Sequence, residues 1–427
     1  MSALFSLEVL PAKEGDCLLL HWGEDKSVAL IDGGPAKTYE DVLRPRLMAL
    51  RRNLGGGTLN LAFVMVSHVD NDHIVGVRKL FAELRGASSS GVPRDQRPIH
   101  VERLWHNSFT DVLGTEIFRA LGTVLASASP AASNADVEAA VSELGAVTRD
   151  DALEISAVLA GHAEGRTLRD DHAFLHAAQE IQRLNAGLTR VGGANAVGSV
   201  PWILRVTPAT AHAIDDLTVR IVGPAEAELR QLKIDYDKFL VEKGLAVPAA
   251  LAAALTQDGS PTNLSSIACL VEHGGKRILL TGDALGSKIL EGLEEANLLP
   301  GGTMHVDVLK VPHHGSARNA TPAFFKTVSA ETYVFSANGR HENPDRKTLE
   351  WLVDSRAESD PYRLVFTYAV AAIDAARRTE RQAKGKPWDD AEDAIGPFLD
   401  ACRIAGHAFT VTEGAAVIDL GETAMDW

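Results

Sequence analysis

Ser67-His68-Val69-Asp70-Asn71-Asp72-His73-Ile74-Val75-Gly76 is the stretch that decides how this chain is read. It sets two histidines and two aspartates within six positions, directly behind the apolar run Leu61-Ala62-Phe63-Val64-Met65-Val66. Such a run, closed by polar residues, reads as a buried strand. In α/β proteins the carboxyl ends of strands carry the sites. The spacing H-x-D-x-D-H cannot set all its side chains on one face of a strand or a helix. It therefore reads as a loop that wraps its ligands around a pair of cations.

Four other strand ends repeat the pattern. Val28-Ala29-Leu30-Ile31 ends in Asp32-Gly33-Gly34, and Arg277-Ile278-Leu279-Leu280 ends in Thr281-Gly282-Asp283. Val306-Asp307-Val308-Leu309-Lys310-Val311 ends in Pro312-His313-His314-Gly315-Ser316. Thr332-Tyr333-Val334-Phe335-Ser336 ends in Ala337-Asn338-Gly339-Arg340-His341. Glycine at such turns lets a backbone approach a metal or a phosphate.

The order Asp-Gly-Gly, Ser-His-x-Asp-x-Asp-His, Thr-Gly-Asp and His-His-Gly-Ser resembles the metallo-β-lactamase fold superfamily. Within it, the chain is similar to the soluble domain of the ComEC/Rec2 DNA-uptake proteins and their stand-alone relatives. Glu14-Gly15-Asp16 resembles that group's G-x-G-D turn, and Asn263-Leu264-Ser265-Ser266-Ile267 its N-x-x-S strand entry. Asn338 to Asn343 resembles its Asn-x-x-x-His-Pro segment, with the proline displaced to Pro344. The likeness covers roughly residues 5–107 and 200–368 and a last strand near Ala415-Ala416-Val417-Ile418. It implies an α/β fold, a metallo-β-lactamase-type αββα sandwich with a helical insertion.

The resemblance also implies roles. His68 and Asp70 would ligate a first metal, Asp72 and His73 a second; Asp283 would bridge them and His313 would complete the second site. His314 and His341 would face substrate, as phosphate contacts or a proton donor, and Asp32 would orient a ligand. Asp72, Asp283, His314 and His341 are thus the catalytic candidates. Asp70 stands where the superfamily usually has histidine. A carboxylate is a harder ligand than imidazole, which moves two divalent ions from pure zinc towards manganese or magnesium. The histidine that normally precedes the bridging aspartate is not evident. His106, His162, His172, His176 and His212 are available, and His106 alone sits near a strand end. His314 and His341 also admit structural readings, hydrogen-bonded to backbone or steadying a loop. Ser316 reads as a phosphate contact or a helix cap.

Because the motifs spread from Asp32 to His341, the 427 residues read as one large domain, 1–427, with insertions. Residues 108–200 carry apolar residues at helical spacing, among them Val137, Val141 and Leu144, and read as a helical insertion: a cap, a homodimer surface or a protein-partner surface. Residues 217–223 resume a strand pattern and 225–256 read as helical. Residues 370–405 read as a helical insertion before a closing strand. A helix is expected around Tyr39 to Arg52, and another from near His73 to Leu84, closed by a Ser88-Ser89-Ser90-Gly91 loop.

Hydrophobic residues make up 45% and charged residues 23%, ordinary for a globular chain. Three cysteines lie far apart and read as core thiols. No leader is evident, and no run of about 18 apolar residues reads as a membrane span, so a cytoplasmic location is expected. A net charge of −15 argues against a whole-surface grip on nucleic acid. Lys310, Arg318, Lys326, Arg340, Arg346 and Lys347 read as solvated faces or as a local cationic rim for a phosphodiester. The leading expectation is a metal-dependent hydrolase of phosphodiester bonds, acting on nucleic acid or a nucleotide. The alternatives are a hydrolase of another ester or lactone, or a partner-activated accessory subunit of a multi-protein system such as a defence cluster.

Overall fold

The computed structural model describes residues 4–107, 174, 177–182, 188–191, 202–207, 211–231, 263 and 265–425. The expected insertion at 108–200 and the helix over 225–256 fall largely outside them; residues 177–182 and 226–231 are helical.

Two mixed sheets form the frame. The first contains β1 (Phe5–Val9), β2 (Leu18–Trp22), β3 (Ser27–Ile31), β4 (Leu59–Val66), β5 (Ile99–Val101), β6 (Arg103–His106) and β7 (Thr189–Val191). The second contains β8 (Ala211–Ile214), β9 (Leu217–Gly223), β10 (Ala268–His273), β11 (Lys276–Leu280), β12 (Met304–Lys310), β13 (Val328–Phe335), β14 (Tyr362–Phe366) and β15 (Phe409–Glu413). The closing strand β16 (Ala416–Asp419) returns to the first sheet, whose order is β16-β1-β2-β3-β4-β6-β7 with β5 also on β4. The second sheet runs β15-β14-β13-β12-β11-β10-β9-β8. Strands β3, β4 and β6 are mutually parallel neighbours, as are β11 through β15.

The sequence periods explain the layers. Along β1, Phe5, Leu7 and Val9 enter a core shared with Val219, Cys269, Val271, Ile278, Leu280 and Val308 of the second sheet. Ser6 and Glu8 face the other way. A one-residue slip would exchange the two sets, costing about 1.5–3 kcal/mol for each large apolar side chain displaced. From Leu61 to Val66 β4 is apolar because both its faces are covered: Phe63 and Met65 join the inter-sheet core, Val64 and Val66 the outer one.

Helices α1 (Arg44–Asn53) and α2 (Asn71–Ser89) cover the first sheet's outer face with Leu47, Leu50, Ile74, Val77, Leu80, Phe81 and Leu84. The second sheet's outer face is covered by α3 (Gly286–Glu295), α4 (Pro322–Thr327), α5 (Arg346–Asp354), α6 (Val370–Ala383) and α8 (Ile395–Ala405), with the short α7 (Asp390–Asp393) between the last two. All three cysteines are buried and unbridged. Among the described residues no helix is long and apolar enough to cross a membrane.

One boundary departs from expectation. α2 begins at Asn71 and runs through Ser88 and Ser89. Asp72 and His73 therefore ride on its first turn, while His68 and Asp70 stay in the loop before it. The serines continue the helix because Ser88 Oγ donates to Leu84 O at 2.9 Å and so satisfies itself against the preceding turn.

Candidate metal centre

The first sheet presents its polar residues through a tight junction. Asp32, at φ 56°, turns the chain back after β3. Its Oδ1 accepts from Ser67 N–H at 2.7 Å; its Oδ2 accepts from Ser67 Oγ at 2.7 Å and from His73 Nδ1–H at 2.9 Å. The first turns of α2 press backbone to backbone on this loop. Gly33 N–H donates to His73 O, and a Cβ at Gly76 would stand 1.9 Å from Gly33 O. Glycine at 76 is thus a condition of bringing His73 to Asp32. Asp70 is the N-cap of α2, yet its side chain makes no capping bond. Its Oδ2 lies 3.6 Å from His68 Nε2 instead.

The second sheet supplies the opposite wall. Thr281 Oγ donates to Lys310 O at 2.8 Å and ties the ends of β11 and β12. Ser266 Oγ accepts from Asp283 N–H at 3.1 Å, and Asn319 Nδ2 donates to Asp283 O at 2.8 Å. After β12, His313, His314 and Gly315 take φ of 46°, 55° and 88° in succession. Left-handed backbone at two histidines is costly and persists where the surroundings impose it. Here it delivers both rings to Asp283.

All four histidines are oriented alike. Each directs Nδ1 to an acceptor: His68 to Ser67 Oγ at 3.1 Å, His73 to Asp32, His313 to Asn319 Oδ1 at 2.7 Å, His314 to Ser336 O at 2.8 Å. Each leaves Nε2 facing the carboxylates. His73 Nε2 is 3.5 Å from Asp283 Oδ1 and 3.7 Å from Asp72 Oδ2. His314 Nε2 is 3.4 Å from both Asp72 Oδ2 and Asp283 Oδ2. His68 and His313 approach Asp283 Oδ2 through Nε2 at 3.8 and 3.6 Å. Nε2 of His68, His73 and His314 and Oδ1 of Asp283 are buried without a hydrogen-bond partner.

The electrostatics favour added positive charge. Burial alone would raise the pKa of Asp283, but His314, His313 and His73 hold it well below the usual carboxylate range. Asp72 is likewise lowered, by His73 and His314 against burial. Burial disfavours the charged forms of His73 and His314, yet Asp283 and its fellow acids push both well above the ordinary imidazole value. His313 is lowered, chiefly by burial. Unpartnered Nε2 atoms converging on carboxylates, with every Nδ1 anchored, form a donor set suited to a divalent cation. Asp72, His73, Asp283 and His314 make one group that could hold a metal, and Asp16, Asp32 and His73 another.

Some residues lie elsewhere than the sequence suggests. His341 stands exposed on the Arg340–Glu342 turn after β13, outside both groups. His106, at the end of β6, is buried with its ring edge-on to Phe174. His212 packs edge-on to Trp105. His162, His172 and His176 lie outside the described residues. Lys310 is no rim residue: it is 1% exposed, its ammonium 2.5 Å from Asp16 Oδ2. A strand covered on both faces leaves a lysine no solvent side. Asp16 is a second residue passed over. Its Oδ1 stands 3.4 Å from His314 Nδ1, and only the Glu14-Gly15-Asp16 turn signalled it.

No family model matches the chain. Over 98 residues it is 36% identical to ComE operon protein 3 of Bacillus subtilis (strain 168), a stretch covering 22% of this chain and 12% of that protein. This partial match fits the ComEC-like resemblance loosely.

Proposed function

We propose that this chain is a metal-dependent hydrolase of phosphodiester bonds, built as a metallo-β-lactamase-type αββα sandwich. The observation that carries the reading is the common orientation of His68, His73, His313 and His314, each with Nδ1 anchored and Nε2 turned to Asp283 or its neighbours. Asp72, His73, Asp283 and His314 would hold one divalent ion. His68 and Asp70, with His313, whose Nε2 like that of His68 approaches Asp283 Oδ2, would hold a second. In this arrangement His314 takes the ligand role that the resemblance gives His313, and His313 fills the gap left by the missing histidine. Two such ions supply acid strength for water and charge relief for an anionic ester.

The residues themselves shape access. Asp70, Asp72 and His313 have side chains 29%, 27% and 26% exposed, whereas His68, His73 and Asp283 are closed off. Substrate therefore enters on the Asp70, Asp72 and His313 side. Arg340 reaches Glu14 at 2.7 Å, beside the Gly15 that packs on the Asp72 backbone, and offers a cation for a phosphate at the rim.

The test is metal content of protein purified without chelator, with hydrolysis of bis-p-nitrophenyl phosphate in added Mn²⁺. Bound metal, with activity lost in Asp283→Ala, supports the reading. Metal without phosphodiester hydrolysis points to another ester, and absence of bound metal overturns it.

A further inference from the structure

We propose that Lys310 is a built-in cation of this centre, occupying the Asp16, Asp32 and His73 group in place of a metal and positioning Asp283. The proposal rests on the metal reading above and adds where a metal does not go.

Lys310 is among the largest fully buried side chains. Its Nζ lies 2.5 Å from Asp16 Oδ2, 3.1 Å from Gly282 O and 3.8 Å from Asp283 Oδ1. Those are three oxygens from two separate chain segments around one ammonium. Burying a lysine is costly unless it is paired and hydrogen-bonded, so the pairing needs a reason. Asp16, Asp32 and His73 supply it, because by geometry they too could hold a metal. Two features close that group. His73 Nδ1–H is committed to Asp32 Oδ2, and the ammonium already takes Asp16 Oδ2. On the other face of the same imidazole, Nε2 has no partner. Asp32 thus holds one edge of His73, the lysine holds Asp16 beside it, and the Nε2 edge is left open to a metal.

The same ammonium steadies the Thr281-Gly282-Asp283 turn. Gly282, at φ 50°, presents its carbonyl to Lys310 Nζ and to His313 N–H. One carbonyl therefore links the lysine, the turn that aims Asp283, and the left-handed turn that aims His313 and His314. Lys310 acts as a positioning residue through Asp16 and Gly282.

Calorimetric titration with Mn²⁺ tests this on the wild type, Lys310→Ala and Lys310→Met, with and without ethylammonium. Both variants should bind Mn²⁺ about tenfold or more weakly, as when a ligand's outer partner is lost. Ethylammonium should restore affinity to Lys310→Ala, which has room for it, and not to Lys310→Met, whose side chain fills the space. Unchanged affinity in both variants, or ethylammonium acting alike on both, overturns the proposal. If the wild type binds no Mn²⁺, it is the metal reading that fails. Should Lys310→Ala not fold, the pair Asp16→Asn with Lys310→Met removes both charges together. Affinity still lowered about tenfold supports the positioning role; wild-type affinity overturns it.

Discussion

Two buried polar clusters involve the first sheet, one beneath α1 and one shared with the second sheet, and they are built to opposite ends. One lies under α1: Glu8 on β1 sets Oε1 2.6 Å from Arg46 Nε and Oε2 3.2 Å from His21 Nε2. A single carboxylate there meets two donors, and both of its oxygens are taken. The other lies at the strand ends, where Asp16, Asp32, Asp72 and Asp283 surround His73, His314 and Lys310. There Nδ1 of His73 and of His314 is engaged, while Nε2 of both and Oδ1 of Asp283 are left open. Buried polar groups are almost always partnered, so a cluster with several converging orphans needs an explanation that a closed one does not. Burial of histidine with carboxylate is common to both clusters; in the second, Nε2 of His68, His73 and His314 converge on Asp283, whose Oδ1 is itself unpartnered.

The comparison breaks most sharply at Asp32, which makes an outward contact and faces no ligand itself. Asp32→Asn keeps a residue that tolerates the left-handed backbone at φ 56°. It still turns an acceptor into a donor opposite Ser67 or His73. Mn²⁺ affinity should fall about 10–100-fold, read by calorimetry, with the circular dichroism spectrum unchanged. Wild-type affinity would mean that the orientation of His73 does not depend on its anchor, and the contrast between the clusters would lose its basis.

How far the sequence foretold this follows from what each residue depends on. Strands such as Leu61 to Val66 and turns such as Thr281-Gly282-Asp283 were legible because period and glycine act locally. The strand over 217–223 and the helices after 370 were legible for the same reason. The division of labour between His313 and His314 was not. Adjacent rings are sorted by three successive left-handed residues, and no composition rule gives those angles. The burial of Lys310 was not legible because it depends on the first sheet covering β12. Asp16 was passed over because its partners, His314 and Lys310, come from the other half of the chain. His341 stood out by its motif, yet its turn leaves it exposed.

The closed cluster should behave as ordinary structure. Burial opposes the charge on Glu8, but His21 and Arg46 outweigh it, so the folded pKa lies below the ordinary 4.5. A lowered carboxylate stabilises the fold above its unfolded pKa and loses that stabilisation as pH falls through the folded value. Glu8→Gln should therefore cost about 1–3 kcal/mol at neutral pH, measured by urea unfolding of metal-free protein. The gap to wild type should close as pH drops below 4.5, and Mn²⁺ affinity should stay constant. A gap that persisted unchanged into acid would show that packing, not charge, holds this cluster.

The smallest effect is expected at the rim, where the open cluster meets solvent. Arg340 pairs with Glu14 at 2.7 Å, but its side chain is 55% exposed, so the pair contributes about 0–1 kcal/mol to stability. Arg340→Ala should leave the thermal midpoint nearly unmoved. Its influence should appear in substrate capture, because the guanidinium is solvated, free of the packing that fixes Lys310, and placed beside the turn that carries Asp16. KM for bis-p-nitrophenyl phosphate should rise by up to about fivefold at low ionic strength, the equivalent of about 1 kcal/mol. That rise should shrink towards about 1 M salt, where the screening length falls to roughly 3 Å. Lys310→Met should show the reverse pattern, a loss indifferent to salt, because its partner is out of reach of mobile ions. Equal salt dependence in the two variants would erase the distinction between a cation that meets substrate and one that holds the centre together.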